Sequence, residues 1–217
     1  MRGTTAFLAA DERPNKRALQ RAQYKLVGDW LKSDLGGINV VDMPSMNTNT
    51  SLEMMDAAGI DIAHYWAIEY EKKIAASIAR ALVLRGSKGG GRALESHSFG
   101  ERDYTVTGSR DVLEVLSTAK APKEVHFYNL DFCGAMGPSW RAFTLPHCLR
   151  RTCADKFAVC LTFSPRSSSK PGPKVEHVIN VIAPQFYGLK PVEVYKNTYK
   201  DTSAMASWLA FFKKEQT

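Results

Sequence analysis

Carboxylates follow three buried-looking runs of this sequence, at positions where a strand would end. Asp42 follows INVV, Glu69 follows DIAHYWAI, and Asp131 follows EVHFYNL. A carboxylate held rigidly at a strand end can accept two hydrogen bonds from a vicinal diol, or a proton from an amine or hydroxyl. Another acid, Asp111, comes just after the strand-like run DYTVTG. These acids therefore suit the binding of a ribose and the activation of a nucleophile.

The elements that must position these acids alternate between strand-like and helix-like patterns. Runs of β-branched, aromatic and apolar residues predict strands at 38–43, 61–69, 103–108, 124–131 and 156–164. Helical patterns predict helices at 12–33, about 50–58, 70–84, 109–119, 138–155 and near 175–187. Two extended segments, 191–201 and 203–214, are close enough along the chain to pair with each other.

The alternation of strands and helices predicts the fold class. It implies right-handed crossovers and an α/β fold with a mostly parallel central sheet and helices on both faces. Ligands bind to such sheets at the carboxyl ends of the strands, near the point where the strand order reverses. We therefore expect the strand-end acids to surround a binding site.

The length and charge of the chain bound its organisation and its partners. The 217 residues suit one domain, and a basic amphipathic helix at 12–33 is followed by Gly36 and Gly37. This pattern predicts a basic N-terminal helical extension at 1–37 and an α/β domain at 38–217. Lys and Arg exceed Asp and Glu by 29 to 22, a net charge of +7, which favours a polyanionic partner such as nucleic acid.

The cysteine spacing and the apolar runs argue against metal and membrane functions. None of the 4 cysteines has zinc-finger spacing, so we expect reduced thiols and no metal site. No apolar run is long enough for a membrane-spanning helix, and the apolar segment near the N-terminus is too short for a signal peptide. We therefore expect a cytoplasmic protein without a membrane partner.

In the order and spacing of its elements after the first helix, the chain resembles the class I S-adenosylmethionine-dependent methyltransferases, which have a Rossmann-like domain. VVDMPSMNTNTS resembles the first strand and cofactor loop of that family, and HYWAIEYEKKIAASIA resembles the second strand and its helix. TVTGSRDVLEVL and FYNLDFCG resemble the third and fourth strands. VEVYKNTYKDTSAMASWLAFF resembles the closing pair, in which the last strand is antiparallel to the rest. The resemblance implies S-adenosylmethionine as the cofactor.

The resemblance also implies a set of cofactor-binding residues. Glu69 would receive the ribose hydroxyls, and Gly108 would allow the backbone to approach the adenine ring closely. The complete set is Asp42, Pro44, Ser45, Glu69, Tyr70, Gly108, Asp111 and Asn129. The loop DMPSMNTNTS contains no glycine, whereas the corresponding loop of the family is usually glycine-rich.

Several of these residues also have a structural interpretation. The loop after Asp42 could cap the next helix through Thr50 or Ser51. Glu69 could be a solvated residue at a strand-to-helix junction, and Asp111 could complement the dipole at a helix N-terminus. The sequence leaves both interpretations open.

The resemblance assigns the catalytic role to Asp131, where the methyl group would be presented. Its motif, DFCG, resembles the D-P-F-G motif of some RNA guanine-N2 methyltransferases and departs from it at the second and third positions. The alternative is that Asp131 only caps a turn with Gly134. On the substrate side, the implied residues are Cys133, Gly134, Trp140 and Arg166.

The function that this pattern predicts is methyl transfer from S-adenosylmethionine to a nucleic acid, with RNA preferred over DNA. One alternative is a non-catalytic relative that binds nucleic acid or a protein partner through its basic face. Another is an α/β enzyme that acts on a small molecule with a different nucleotide cofactor.

Overall fold

The computed structural model describes residues 13–31, 37–44, 48–69, 71–86, 97–99, 102–108, 124–132, 154–164, 172–201 and 203–214. The helices in these ranges are α1 (Pro14–Leu31), α2 (Thr48–Ala57), α3 (Lys72–Gly86), α4 (Gly172–His177) and α5 (Ala183–Tyr187), with a π-helical segment, Val178–Ile182, between the last two. The strands are β1 (Ile38–Asp42), β2 (Ile62–Glu69), β3 (His97–Phe99), β4 (Arg102–Gly108), β5 (Phe127–Asp131), β6 (Lys156–Phe163), β7 (Leu189–Lys200) and β8 (Ala204–Lys214). The helices predicted at 109–119 and 138–155 lie outside the described residues, except for the last two positions of the second.

The strands form one mixed sheet in the order β3-β4-β2-β1-β5-β6-β8-β7. β1 is parallel to β2 and β5, β2 is parallel to β4, and β5 is parallel to β6. β8 is antiparallel to both β6 and β7, and the short β3 is antiparallel to β4. The predicted α/β class, the mostly parallel sheet and the antiparallel last strand are confirmed.

The strand order reverses between β1 and β5. From β1 the chain adds β2 and then β4 on one side, and it later places β5 and β6 on the other side. Asp42 at the end of β1 is the register partner of Asn129 in β5. The crevice outside these two strand ends is the topological switch point, where α/β sheets bind their ligands.

Helix α1 packs on one face of the sheet. Its buried residues include Tyr24, Val27 and Leu31, which belong to the same core cluster as Phe127 of β5. The Tyr24 and Phe127 rings meet edge to face with their centroids 5.8 Å apart. Helix α1 is thus part of the core, and the division of the chain into an extension and a domain remains a prediction.

Two glycines shape the contact between α1 and the end of α2. A Cβ at Gly28 of α1 would clash with the carbonyl oxygen of Ala58, so a larger residue there would force the helices apart. Helix α2 ends at Ala57 and is followed by Gly59, whose φ is 72°. The Ile60 amide donates to the Met55 carbonyl over 3.0 Å, and the Gly59 amide donates to the Asp56 carbonyl over 2.9 Å. These two bonds form a Schellman motif, which ends the helix and returns the chain to the sheet.

Helix α4, the π-helical segment and α5 lie in the region where a helix was predicted near 175–187, and they cover the opposite face of the sheet. Val175, Ile179 and Ala183 pack there in a second core cluster that includes Phe157 and Phe212. The rings of Phe157 and Phe212 stack with their centroids 5.1 Å apart. Both faces of the sheet are therefore covered by helices, as the pattern predicted.

Candidate active site

An open cleft lies at the carboxyl ends of β1 and β5, the switch point of the sheet. Its wall comes from the start of α1, the end of β1, helix α2 and the end of β5. The lining residues are Arg13, Lys16, Arg17, Gln20, Met43, Pro44, Thr50, Ser51, Met54, Asn129 and Asp131. The fold thus brings together Pro44, Asn129 and Asp131, three of the residues predicted for the site.

Asp131 projects into this cleft from the last position of β5. Because side chains alternate along a strand, Phe127, Asn129 and Asp131 share the sheet face that α1 covers. The Nζ of Lys16 forms an ion pair with Oδ2 of Asp131, whose side chain is 9% exposed. Oδ1 of the same carboxylate is buried and has no hydrogen-bond partner among the described residues. One oxygen is therefore engaged by the protein, and the other is left without a donor among these residues.

Leaving Oδ1 of Asp131 without a hydrogen-bond donor costs free energy. A buried acceptor without a donor costs roughly 1–3 kcal/mol, and more when the group is charged. Such a cost is tolerated at sites where a ligand supplies the missing donor. The turn-capping alternative for Asp131 involves Gly134, which lies outside the described residues.

The position of Lys16 is set by a contact with the turn that follows β7, the last strand in the sheet order. Asp201, in the turn after β7, accepts hydrogen bonds from the backbone amides of Asn15 over 3.1 Å and Lys16 over 3.0 Å. The Asn15 side-chain amide donates to the Lys200 carbonyl over 2.9 Å. A carboxylate at this place satisfies the unpaired amides at the start of α1 and complements the helix dipole. The β7–β8 turn therefore fixes the helix end that carries Lys16.

Asp42 lies behind the cleft wall and is fully buried. The Tyr65 hydroxyl donates to its Oδ2, and the Asn129 side-chain amide donates to its Oδ1 over 2.7 Å. Burial raises the pKa of Asp42 to about 6, although these two hydrogen bonds act in the opposite direction. Protein donors thus occupy both oxygens, so Asp42 orients Asn129, and direct contact with a cofactor remains a prediction.

Asn129 links this carboxylate to α1. Its side-chain amide also donates to the Tyr24 hydroxyl over 2.9 Å. Burial, followed by the nearby Asp42, raises the pKa of Tyr24 well above its ordinary value. The phenol is therefore neutral, and the network holds Asn129 at the edge of the cleft.

A second buried polar cluster anchors α1 to the other half of the sheet. The Gln23 side-chain amide donates to the Ser207 hydroxyl over 2.9 Å, and the Thr162 hydroxyl donates to the same oxygen over 3.2 Å. The Cys160 thiol donates to Gln23 Oε1 over 3.5 Å. Burial raises the pKa of Cys160 to about 12, so this thiol is protonated and unreactive at neutral pH.

Two residues predicted for the cofactor lie at neighbouring strand ends. Glu69 ends β2 and pairs in register with Gly108, the last residue of β4. Glu69 is half-buried, and its Oε1 accepts a hydrogen bond from the Glu71 amide over 3.0 Å. This bond is the one expected of a residue at a strand-to-helix junction, and the contact with a ribose remains a prediction.

The remaining predicted site residues lie outside the described part of the chain. They are Ser45, Tyr70, Asp111, Cys133, Gly134, Trp140 and Arg166. In the described ranges, no group of three or more His, Cys, Asp or Glu residues could hold a metal ion. None of the described helices is long and apolar enough to cross a membrane.

Sequence reasoning missed the pairing of Lys16 with Asp131, and it missed Tyr65 and Arg13 altogether. The sequence places Lys16 only within the basic amphipathic helix at 12–33. The signal that could have found it is the spacing of Arg13, Lys16 and Gln20, which continues the same helical stripe as the buried Tyr24. Such a stripe faces the sheet. The polar residues that continue it must therefore face the residues at the edge of the sheet.

Comparisons with known proteins bear on the fold. No protein-family model matches the chain, and no curated protein matches it significantly. Among solved structures, Trm1 from Pyrococcus horikoshii in complex with S-adenosyl-L-methionine gives a TM-score of 0.60 at 15% identity over 91% of this chain. This chain spans only 56% of the length of that protein.

Two further solved structures match over most of both chains. An O-methyltransferase from Bacillus cereus in complex with SAH gives a TM-score of 0.58 at 13% identity, covering 92% of this chain and 81% of that one. A candidate RNA methyltransferase from Pyrococcus horikoshii gives a TM-score of 0.53 at 12% identity, covering 93% of this chain and 85% of that one. At these identities the likeness establishes the fold alone. The chain therefore has the fold of the class I S-adenosylmethionine-dependent methyltransferases, as its sequence pattern predicted.

Proposed function

We propose that this protein transfers a methyl group from S-adenosylmethionine to a nucleic acid, RNA in preference to DNA. The observation that carries the proposal is Oδ1 of Asp131, which is buried and has no hydrogen-bond partner in the described ranges, beside a cleft at the switch point of the sheet. An acceptor oxygen at this place suits the activation of a methyl acceptor, because it can orient and deprotonate an amine or hydroxyl.

The residues of the cleft fit the proposed cofactor. Pro44 and Asn129 line the cleft. They would contact the amino-acid part of S-adenosylmethionine. Glu69 would receive the ribose hydroxyls, and Gly108, in the strand beyond, would lie beside the adenine. The solved structures of similar fold that contain S-adenosylmethionine or SAH support this assignment.

The chain's own residues would then act on the acceptor. When bound, S-adenosylmethionine supplies an electrophilic methyl group. Oδ1 of Asp131 would accept a hydrogen bond from the N–H or O–H of the acceptor and take the proton that the acceptor loses on methylation. Lys16 would hold Oδ2, which keeps the carboxylate in one orientation.

The preference for nucleic acid rests on charge. The net charge of +7 favours a polyanion, and three of the residues that line the cleft are cations, Arg13, Lys16 and Arg17. One structure of similar fold is a candidate RNA methyltransferase, which supports RNA over DNA, whereas another is an O-methyltransferase.

A second candidate function is supported by the loop after β1. The stretch MPSMNTNTS has no glycine, although a cofactor loop needs close approach of its backbone to the ligand. A relative without catalysis would keep the basic face and bind nucleic acid or a protein partner through it. It would have lost affinity for S-adenosylmethionine.

Calorimetry with SAH separates the two functions. The proposed enzyme should bind SAH at micromolar or tighter concentrations, and it should transfer a labelled methyl group from S-adenosylmethionine to a pool of cellular RNA. Transfer to DNA of matched length tests the preference. Absence of SAH binding by the folded protein would favour the non-catalytic function. Binding of SAH without transfer to either nucleic acid would point to a small-molecule acceptor.

A further inference from the structure

We infer that Tyr24 is a positioning residue that makes the cleft selective for ligands with an ammonium group, because its hydroxyl fixes the side-chain amide of Asn129. In this fixed orientation the amide presents its carbonyl oxygen to the cleft. The inference rests on the proposed function and deepens it, because it assigns the ammonium group of S-adenosylmethionine to one acceptor atom.

The hydrogen-bond partners of the Asn129 amide decide which way it points. Its Nδ2 donates to Oδ1 of Asp42 over 2.7 Å and to the Tyr24 hydroxyl over 2.9 Å. A carboxylate can only accept hydrogen bonds, so the amide atom that faces Asp42 must be the nitrogen. Both hydrogens of the amide are then used within the protein. The carbonyl oxygen, Oδ1, is the remaining polar atom of the side chain.

Oδ1 of Asn129 is accessible from the cleft. Asn129 is only 4% exposed, and it lines the cleft. None of the described residues donates a hydrogen bond to this oxygen. It is also not one of the buried polar atoms that lack a partner, so it has access to solvent. The cleft therefore presents an acceptor that a ligand can reach without displacing a protein donor.

Packing holds Tyr24 in place against this amide. Its side chain is fully buried, and its ring meets that of Phe127, two residues before Asn129 on the same strand. The Ser51 hydroxyl, from the first turn of α2, hydrogen-bonds the same phenol. The phenol thus joins α1, α2 and β5 at the amide. Without the phenol hydroxyl, Asp42 alone would hold the amide.

The carboxylate behind the amide strengthens the acceptor. Hydrogen bonds in a chain polarise one another, so an amide that donates to Asp42 carries more negative charge on its oxygen. A hydrogen bond with a charged partner is about twice as strong as one between neutral groups. The oxygen of Asn129 therefore favours an ammonium group over a neutral donor.

Charges of both signs surround the cleft. The charged residues that line it or hold the first turn of α1 are Arg13, Lys16, Arg17, Asp131 and Asp201. This mixture suits the amino-acid part of S-adenosylmethionine, which carries a carboxylate and an ammonium group. The proposed function assigns the ribose hydroxyls and the adenine to the ends of β2 and β4. The ammonium group is the donor of the cofactor that remains for Asn129.

The test compares SAH with its deamino analogue, in which a hydrogen atom replaces the amino group. Calorimetry in a slightly alkaline buffer keeps Asp42 ionised, since its pKa is about 6. The wild-type protein should bind SAH about tenfold or more tightly than the analogue, because only SAH offers the ammonium group. Tyr24→Phe removes the hydroxyl and keeps the ring. It should weaken binding of SAH by about fivefold and leave binding of the analogue nearly unchanged.

Two further variants make the comparison specific. Tyr195→Phe is the matched control, because it removes a phenol hydroxyl that bonds to Glu193 on the exposed strand β7. It should keep the wild-type preference for SAH. Asn129→Ala removes the carbonyl oxygen and should abolish most of the preference. Adding Tyr24→Phe to Asn129→Ala should change the preference no further, because both residues act through the same atom.

The outcomes separate the inference from the proposed function. Equal weakening of SAH and the analogue by Tyr24→Phe, or no weakening, would overturn the inference and leave the proposed function standing. A preference for SAH that survives in Asn129→Ala would also overturn it, even if the Tyr24 variant failed to fold by circular dichroism. Failure of the wild-type protein to bind either ligand would contradict the proposed function and the inference together.

Discussion

Lys16 and Asp131 form an ion pair that joins the first helix to the end of the central strand β5. Oδ2 of Asp131 is bound to Lys16, whereas Oδ1 is buried and has no hydrogen-bond partner in the part of the chain that the structure describes. Helix α1 is thereby part of the candidate site as well as part of the core.

Replacing Asp131 with Asn should reduce methyl transfer by about a hundredfold or more, because general acid-base catalysis typically contributes 10²–10⁴. The affinity for SAH should barely change, because Asp131 is proposed to touch the acceptor. Turnover and SAH calorimetry on the same preparation check this prediction. Asp155→Asn makes the same change at a residue whose side chain is 92% exposed and should have no effect. If Asp131 only caps a turn, Asn will serve as well and turnover will stay near normal.

Lys16→Met should lower kcat by about tenfold or more, because the carboxylate loses the partner that orients it. Lys16→Arg should restore much of the activity, since it keeps the charge and a long side chain. Steady-state kinetics should place the effect in kcat, with SAH affinity unchanged. Equal activity in the Met variant and the wild-type protein would show that the ion pair does not support catalysis.

Asp201→Ala should lower the free energy of unfolding by about 0.5–2 kcal/mol, the usual effect of losing a helix cap. Urea denaturation measures the change. Asp201→Asn is the matched control, because its side-chain oxygen can still accept one backbone amide hydrogen. We also expect the Ala variant to have a lower kcat, since the first turn of α1 carries Lys16. A stable variant with full activity would mean that α1 is held by its other contacts alone.

Asp42 should make the protein less stable as the pH rises from about 4 to 6. Burial raises its pKa from 3.8 to about 6, so the folded state keeps a proton that the unfolded state has already released. Because the folded state binds more protons in this window, its free energy of unfolding falls with rising pH, by up to about 3 kcal/mol. Asp42→Asn cannot titrate. The difference in unfolding free energy between wild type and variant should therefore fall across this window and level off above pH 7.

The same denaturation series can contradict the assignment. A difference that stays constant from pH 4 to 7 would mean that Asp42 is ionised throughout, held so by the hydrogen bonds from Tyr65 and Asn129. The size of the difference in unfolding free energy at any one pH is less informative. The Asn side chain cannot accept hydrogen bonds from both Tyr65 and Asn129, so the variant also loses a bond.

Glu69→Ala should weaken SAH binding by about 1–3 kcal/mol, because a charge-assisted hydrogen bond to the ribose is lost. Calorimetry measures the affinity, and circular dichroism checks the fold. Glu71→Ala is the control, since this exposed residue donates only its backbone amide to Glu69. Unchanged affinity in a folded Glu69 variant would leave the residue with its junction role alone.

The sequence by itself determined the fold class. The runs that end in Asp42, Glu69 and Asp131 became the parallel strands β1, β2 and β5, and the two last extended segments became the antiparallel pair β7 and β8. These elements could be predicted because apolar periodicity is a local property of the chain. Right-handed crossovers then leave few ways to arrange strands that alternate with helices.

Tertiary structure decided which side chains meet. The sequence placed Asp42 and Asp131 at strand ends, but it could not show that Tyr65 and Asn129 would occupy both oxygens of Asp42. It could not show that Lys16 would reach Asp131 either. Alternation along a strand determines the face of a side chain, whereas its neighbours depend on the strand order and on how the covering helix lies. Strand order and helix position depend on packing and on hydrogen bonds between distant segments, such as the bond from the Lys16 amide to Asp201. These contacts leave no local pattern in the sequence.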